Sequence, residues 1–344
     1  MGFSSGTTRT LQKEVERLPE AEGAAYLKAL RENVNVVDRE TPESRFLAVA
    51  DGDSRTAALR LANYWTTRVE LFGERAFLPL DQTGTGALDD KTIEMVATGA
   101  LVCPPKDTTG RPVVAFHQPN FLPYHLESDN DDVRLRYAFY MFSLTTENPI
   151  AQSLGISIMC SLTGSLRAQT HRKMIHVIRN CLPIRRVQFH VIFRPSTLGM
   201  IGRISWSILD LYQSALPADR FAIVHREDTD EETLRSLISH GFELSAIPAW
   251  FGGLWTTRDF ENWRSRRLDV ERQRKMTETE KLRQRRALDA ERARNRRKRR
   301  QLESDLLQRQ VNELVLTKKG LERESERLFV LLNCAKELLL LHRR

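Results

Sequence analysis

The stretch from Leu182 to His225 constrains the fold more than any other. Val187, Phe189, Val191 and Phe193 alternate with Gln188, His190 and Ile192, the period of two expected of a strand whose faces differ. Pro195 and Ser196 close that run and offer a cap. Beyond them Leu198, Ile201, Ile204, Ile208, Leu211 and Tyr212 recur three and four apart, as on one side of a helix. Leu216 and Pro217 stop the helix, and Phe221, Ile223 and Val224 open a second apolar run. The expected unit is a strand, a crossover helix and a second, parallel strand. A parallel sheet needs cover on both faces, so the rest of the chain should wrap this unit.

The remaining patterning agrees. Residues 11 to 36 carry a weak helical periodicity that predicts one or two short helices after an untethered tail. SRFLAVADGD adds a short apolar turn. Then Ala58, Leu59, Ala62, Trp65, Val69 and Phe72 lie along one face of a helix, with Gly73 at its C-cap position. The loop DQTGTGALDDKT has Asp81 first and Gly86 sixth, as in a calcium-binding EF-hand. Its twelfth residue is Thr92, however, where a bidentate Glu is required, so a polar turn opening a helix over Lys91 to Thr98 is expected. VVAFHQ then predicts a strand. A helix carrying Val133, Leu135, Ala138, Met141, Phe142 and Leu144 follows, then a strand from Ile156 and a helix from Arg167 to Asn180. After the Leu182–His225 unit a helix from Glu231 to His240 completes the domain. Four strands alternating with helices argue a single α/β domain.

Charge is distributed unevenly. From Arg264 to Arg300 the chain carries 17 Lys or Arg against 6 Asp or Glu, a net +11, whereas all 344 residues together carry +8. The basicity therefore belongs to one segment, and the remainder is mildly acidic. Cys103, Cys160, Cys181 and Cys334 form no CxxC pair or other metal-ligand spacing, which predicts reduced thiols in an intracellular protein. The first residues lack the apolar core of a signal peptide, Gly6 stands where a myristoylation signal needs Ser or Thr, and no apolar run reaches membrane-spanning length. A cytoplasmic or nuclear location is expected.

Several strings in order resemble the CRAL-TRIO lipid-binding family, the type that includes phosphatidylinositol-transfer proteins. RFLAVADGDSRTAALRLANYWTTRVELFG is similar to that family's N-terminal helical module, GRPVVAF to its first strand and GISIMCSLTG to its central strand. LPIRRVQFHVIFRPSTLGMIGRISWSIL is similar to its strand and gate helix, and IPAWFGG to its closing motif. The resemblance covers residues 44 to 255. It implies an N-terminal helical cap over residues 44–110, after a tail and short helices in 1–43, and an α/β domain over 111–255 with a mostly parallel sheet covered by helices. It also implies a non-enzymatic protein with no cofactor, binding one hydrophobic lipid beneath a gate helix from Ser196 to Ser214. The pocket residues it implies are Ile158, Cys160, Phe189, Val191 and Phe193 on two strands, and Ile204, Ile208 and Leu211 on the gate.

Past Trp255 the composition changes. Arg, Lys, Glu and Gln dominate, no Pro occurs, and helix formers run to the end, so residues 256–344 should form one long basic helix. Leu307, Leu314, Leu321 and Leu328 fall seven apart with Val311 on the companion row, a coiled-coil seam. Upstream, ALDAERARNRRKRR sits at a separation that resembles the basic leucine zipper (bZIP) family, with Glu291, Ala293, Arg294 and Arg297 at matching positions. That resemblance implies a basic helix in the DNA major groove and a homo- or heterodimer through the zipper. Asp289 replaces the family's base-reading asparagine, and Arg292 and Arg296 replace small residues. An aspartate accepts but cannot donate to a base acceptor, so phosphate contact by Arg292, Arg294, Arg296, Arg297, Arg299 and Arg300 is the stronger expectation. Alternatives are an acidic membrane surface or a solvated charged helix. Ser304, Lys318, Ser325 and Gly320 weaken the seam. NRRKRR also fits a nuclear-import signal.

No GxGxxG, P-loop, GxSxG or HExxH string occurs. His117, His171, His190 and His225 are isolated from one another along the chain, and each is expected to serve core or surface polarity.

Overall fold

A computed structural model describes residues 10–116, 130–161, 168–193, 222–226 and 229–341. The chain divides into two units, Met1–Arg272 and Gln273–Arg344.

The first unit begins with four helices, α1 (Thr10–Glu16), α2 (Glu20–Glu40), α3 (Glu43–Val49) and α4 (Ser54–Phe72). In α4 the side chain of Asp53 accepts from the Arg55 amide at the N-cap, and Gly73, at φ 56°, ends the helix in a conformation that suits glycine. Ala58, Ala62, Trp65 and Phe72 of the predicted face lie buried on α4, but Leu59 is exposed at 40% and the buried face turns instead through Ala57 and Leu61. The first helices are not a loose lead-in. Leu11 and Val15 of α1 and Tyr26, Val36 and Val37 of α2 are buried in the same core. α2 is longer than expected and is broken at Asn33, whose amide donates to the Phe77 carbonyl at 3.4 Å while its oxygen accepts from the Val36 amide at 3.3 Å.

Inside this cap Arg68 is fully buried, paired with Glu40, and donates to the Leu78 carbonyl at 2.5 Å. Its guanidinium lies 4.8 Å from the Trp65 ring centroid. Burial opposes ionisation of Glu40, but Arg68 and Arg39 outweigh it and hold the carboxyl below its usual range. The stretch over residues 81–92 is not built as an EF-hand loop. Arg75 fills its interior, donating to the carbonyls of Gly84, Gly86 and Leu88 at 3.2, 2.6 and 2.8 Å. A positive side chain thus takes the oxygens a cation would need. The loop ends at Asp89, which caps α5 (Asp90–Ala97).

The sheet has five strands in sequential order: β1 (Leu101–Val102), β2 (Val113–Phe116), β3 (Ile156–Ser161), β4 (Val187–Phe193) and β5 (Ala222–Arg226). β1 runs antiparallel to β2, and the three remaining pairs are parallel. β1 was not among the four predicted strands, because two residues are too few to show a period. Around the sheet lie α6 (Asn130–Thr145), α7 (Ile150–Ser153), α8 (Ala168–His176) and α9 (Asp230–Ser239). The predicted helix over Arg167 to Asn180 is α8 followed by a wider π turn, Val177–Cys181.

Alternation along the strands separates two cores. Val114, Ile156, Ile158, Val187, Phe189 and Val191 join the cap, α6 and α8 in the larger cluster. Val102, Val113, Ala115, Met159 and Ile192 face the other way and join Leu237, Phe242, Ile247, Phe251, Trp255 and Phe260. Both faces are covered, as a mainly parallel sheet requires.

The last helix, α10 (Thr257–Leu341), starts in the first unit. Its opening turns are not solvated. Arg267 grips Glu147 through two bonds of 2.7 and 2.9 Å and donates to Glu271 at 2.7 Å. Arg264, Arg267 and Glu271, which sequence composition assigns to the basic arm, are therefore structural residues of the first unit.

Candidate functional site

The strand register settles which pocket candidates share a face. Ile158 stands opposite Phe189 and Cys160 opposite Val191 across the β3–β4 pair. Opposed residues of a parallel pair point to one side of the sheet, so these four converge. All are buried, within one cluster that also contains Val133, Met141, Met174 and Ile178. Burial pushes the Cys160 thiol up to about 12, so it stays protonated and is no nucleophile. The Cys103 thiol is likewise pushed up to about 12 and that of Cys181 to about 11, burial being the largest cause in both. Phe193 extends β4 and pairs with Arg226 along the backbone. The gate helix from Ser196 to Ser214, with Ile204, Ile208 and Leu211, falls outside the described residues.

In the second unit, α10 carries Arg294, Arg296, Arg297, Arg299 and Arg300, all exposed, within one uninterrupted helix. Arg292 lies in the same helix, but its side chain is outside the described set. Downstream, Leu307, Val311, Leu314, Leu321 and Leu328 are each more than half exposed. These large apolar side chains therefore stand in water along the helix. Gly320 leaves open space where a side chain would stand.

Strand pairing also assembles a group that the sequence hides. His190 on β4, His225 on β5 and His240 just past α9 meet on the sheet face opposite the pocket candidates. His190 Nδ1 lies 3.1 Å from His225 Nε2, and His225 Nδ1 lies 2.8 Å from Ser236 Oγ. The His240 ring stands edge-on to both, with centroids at 5.8 and 5.1 Å. The order serine, imidazole, imidazole resembles a hydrolytic relay, but its surroundings do not. Ser236 sits inside α9, where backbone amides are committed to the helix and none is free to hold an oxyanion. Burial, then the neighbouring His225 and His240, lowers His190 to about 3, and burial followed by His240 lowers His225 to about 4. Both imidazoles are neutral near pH 7 and weak as bases, which suits a buried hydrogen-bond chain. The signal available in the sequence was the pairing of two apolar strands each holding one central histidine. Register, which brings them together, is not printed in either strand alone.

Among the described residues no group of His, Cys, Asp or Glu is placed to hold a metal ion, and no helix is long and apolar enough to cross a membrane. The first unit is thus an α/β fold with a small mixed sheet.

Comparison with known proteins adds little. No family model matches the chain, and no curated protein matches it. Among solved structures, that of Sfh5 aligns at 8% identity over 68% of this chain and 85% of that one, with a TM-score of 0.38, a likeness too slight for any property to be carried across.

Proposed function

We propose that the first unit is a non-enzymatic binding protein that carries or senses a hydrophobic lipid of the kind CRAL-TRIO domains enclose. The observation that carries this reading is the convergence of Ile158, Cys160, Phe189 and Val191 on one sheet face through the Ile158–Phe189 and Cys160–Val191 pairs. In the family the sequence resembles, that face lies beneath the gate. The order of strands supports the same reading, as does the segment from Ser196 to Ser214, whose apolar periodicity suits a roof over an apolar cavity. To test it, the full chain is purified from cells, bound lipid is extracted for mass spectrometry, and uptake of labelled phospholipid from vesicles is measured. A retained lipid near one per protein is expected, with loss of uptake in Ile204→Asp and Ile208→Asp. Recovery of no lipid together with no uptake sinks the proposal.

A second reading concerns the arm. The exposure of Arg294, Arg296, Arg297, Arg299 and Arg300 on one continuous helix upstream of an exposed leucine row favours a duplex-binding, dimerising segment with little base readout. Phosphate contact releases counterions, so duplex binding should weaken steeply as salt rises. Replacing Arg294, Arg296 and Arg297 should lower both affinity and slope. Stronger binding to acidic liposomes than to duplex at matched ionic strength would move the arm to a membrane surface instead. No binding to either at low salt removes both.

A further inference from the structure

A groove of about 680 Å³ opens between the loop after β1, the start of β2 and the first turns of α10, all within the first unit. It is separate from the sheet face discussed above, and its chemistry differs. Pro104, Trp255 and Trp263 give it an apolar floor, and Leu254, exposed at 62%, stands at its rim.

The charged groups of the lining are Lys106, Glu147, Asp259, Arg266 and Arg267. Two carboxylates and one cation among them are already committed. Glu147 receives both forks of Arg267 at 2.7 and 2.9 Å. Asp259 accepts from the Thr256 amide at 2.8 Å and its hydroxyl at 2.6 Å, which caps α10 and lowers its carboxyl below the usual range. Lys106 and Arg266 remain. Neither has a carboxylate within ion-pairing distance among the described residues, and Arg266 spends only its Nε, on the Asn262 carbonyl at 3.2 Å. The lining of the groove therefore includes two cations without an ion-pair partner among the described residues.

The floor supplies a further unmatched donor. Trp255 is only 6% exposed, lines the groove, and its indole N–H donates to no protein atom among the described residues. Buried indoles normally find an acceptor. An apolar floor, a donor without an acceptor and two cations without anions define the complement: an apolar body ending in one negative head.

We propose that this groove binds an organic anion with an apolar chain or ring and a single carboxylate or phosphate head, the head lying between Lys106 and Arg266 and the body on Trp255 and Trp263. Neither cation is needed for the fold, since both side chains are exposed.

The test titrates the full chain with decanoate, decyl phosphate, decanol and decyltrimethylammonium below their aggregation concentrations, following tryptophan fluorescence. Decanoate or decyl phosphate should give a saturable change that decanol and the cationic amphiphile do not, and the better of the two anions identifies the head. Lys106→Glu and Arg266→Glu should each raise the half-saturation concentration about fivefold, as expected for reversing one exposed charge beside a bound ion. Lys106→Arg and Arg266→Lys should leave it nearly unchanged. Trp263→Phe should remove much of the signal. Equal binding of decanol, no saturable change with either anion, or a half-saturation indifferent to both charge reversals overturns the proposal. The last outcome would place the anion elsewhere, including the β3–β4 face.

Discussion

Tyr140 on α6 and Glu271 on α10, 131 positions apart, meet at 2.8 Å, the phenol donating to the carboxylate. Gln82 completes the junction. Its amide donates to Glu271 at 2.8 Å, its side-chain nitrogen donates to the Tyr140 oxygen at 2.9 Å, and Arg264 donates to its side-chain oxygen at 3.2 Å. Three distant pieces of chain are thus closed into one polar network beneath the start of a helix whose composition is that of a solvated rod. Burial dominates both partners. It raises the Tyr140 hydroxyl, helped by Glu271, and it raises the Glu271 carboxyl despite the nearby Arg267.

Removing the cation of this network should be costly. Arg267→Ala leaves Glu271 and Glu147 without their shared partner, and a buried carboxylate stripped of its ion pair typically costs about 3 kcal/mol. The adjacent Arg266→Ala, whose side chain is exposed, should cost almost nothing. Urea unfolding followed by tryptophan fluorescence separates the two, because every tryptophan precedes Gln273 and so reports on the first unit alone. Equal midpoints for the two variants would remove the network from the account of stability.

The imidazole chain predicts a specific loss on acidification. In the unfolded chain both groups regain the ordinary value of 6.5, whereas in the fold His190 lies at about 3 and His225 at about 4. The folded state therefore binds fewer protons. The associated stability is complete above pH 6.5 and is lost as pH falls toward 4 for His225 and toward 3 for His190, by up to about 1.4 kcal/mol per pH unit for each. His190→Phe, which places an aromatic ring beside Phe242, should flatten that slope between pH 6.5 and 4. An unchanged slope would show that other groups govern the acid limb.

Much of this architecture was legible in the sequence, and the failures share a cause. β3 announces itself by the nearly continuous apolar run IleSerIleMetCys that burial on both faces demands, and β4 by the period-two alternation of Val187, Phe189, Val191 and Phe193. α4 is equally plain, with Asp53 and Gly73 marking its ends. β1 was missed for want of length. The histidine chain and the Glu271 network were missed because each depends on pairing between residues far apart, and a polar side chain carries no mark of the partner that will bury it. Arg264 and Arg267 look the same as Arg297 in composition. Gln82 and Glu147, far upstream, distinguish them.

Gly155 should tolerate no side chain. At φ 90° it precedes β3, and a Cβ there would stand 2.0 Å from the Arg186 carbonyl oxygen. That carbonyl accepts from the Ile156 amide at 2.9 Å, so the neighbouring backbone cannot retreat without loosening the entry to the β3–β4 pair. Gly155→Ala combines a disfavoured backbone region with a hard clash, and a loss of about 3 kcal/mol or more is expected. Gly84→Ala, also at positive φ but with nothing nearby, should cost only about 1 kcal/mol. Thermal unfolding of the two variants side by side checks the difference, and a similar shift in both would exclude the contact with Arg186 as the cause.

The arm's leucine row carries a prediction about its own specificity. With Leu307, Leu314, Leu321 and Leu328 on one row, the companion row reads Val311, Lys318, Ser325 and Leu332, and all of these are exposed. In a parallel pair of identical arms in register, Lys318 meets its own copy, and two like charges in a seam disfavour that pairing. A partner with a carboxylate at the facing position would relieve it, so self-association should be weak and a mixed pair stronger. Lys318→Leu replaces the repulsion with apolar burial and should lower the self-association midpoint of the full chain by about tenfold, equivalent to 1.4 kcal/mol. Lys318→Glu should leave the variant poorly self-associating yet able to pair with the parent chain. Sedimentation equilibrium of each protein and of the mixture reads all three cases. If Lys318→Leu stays monomeric wherever the parent chain does, the leucine row is not a dimer seam.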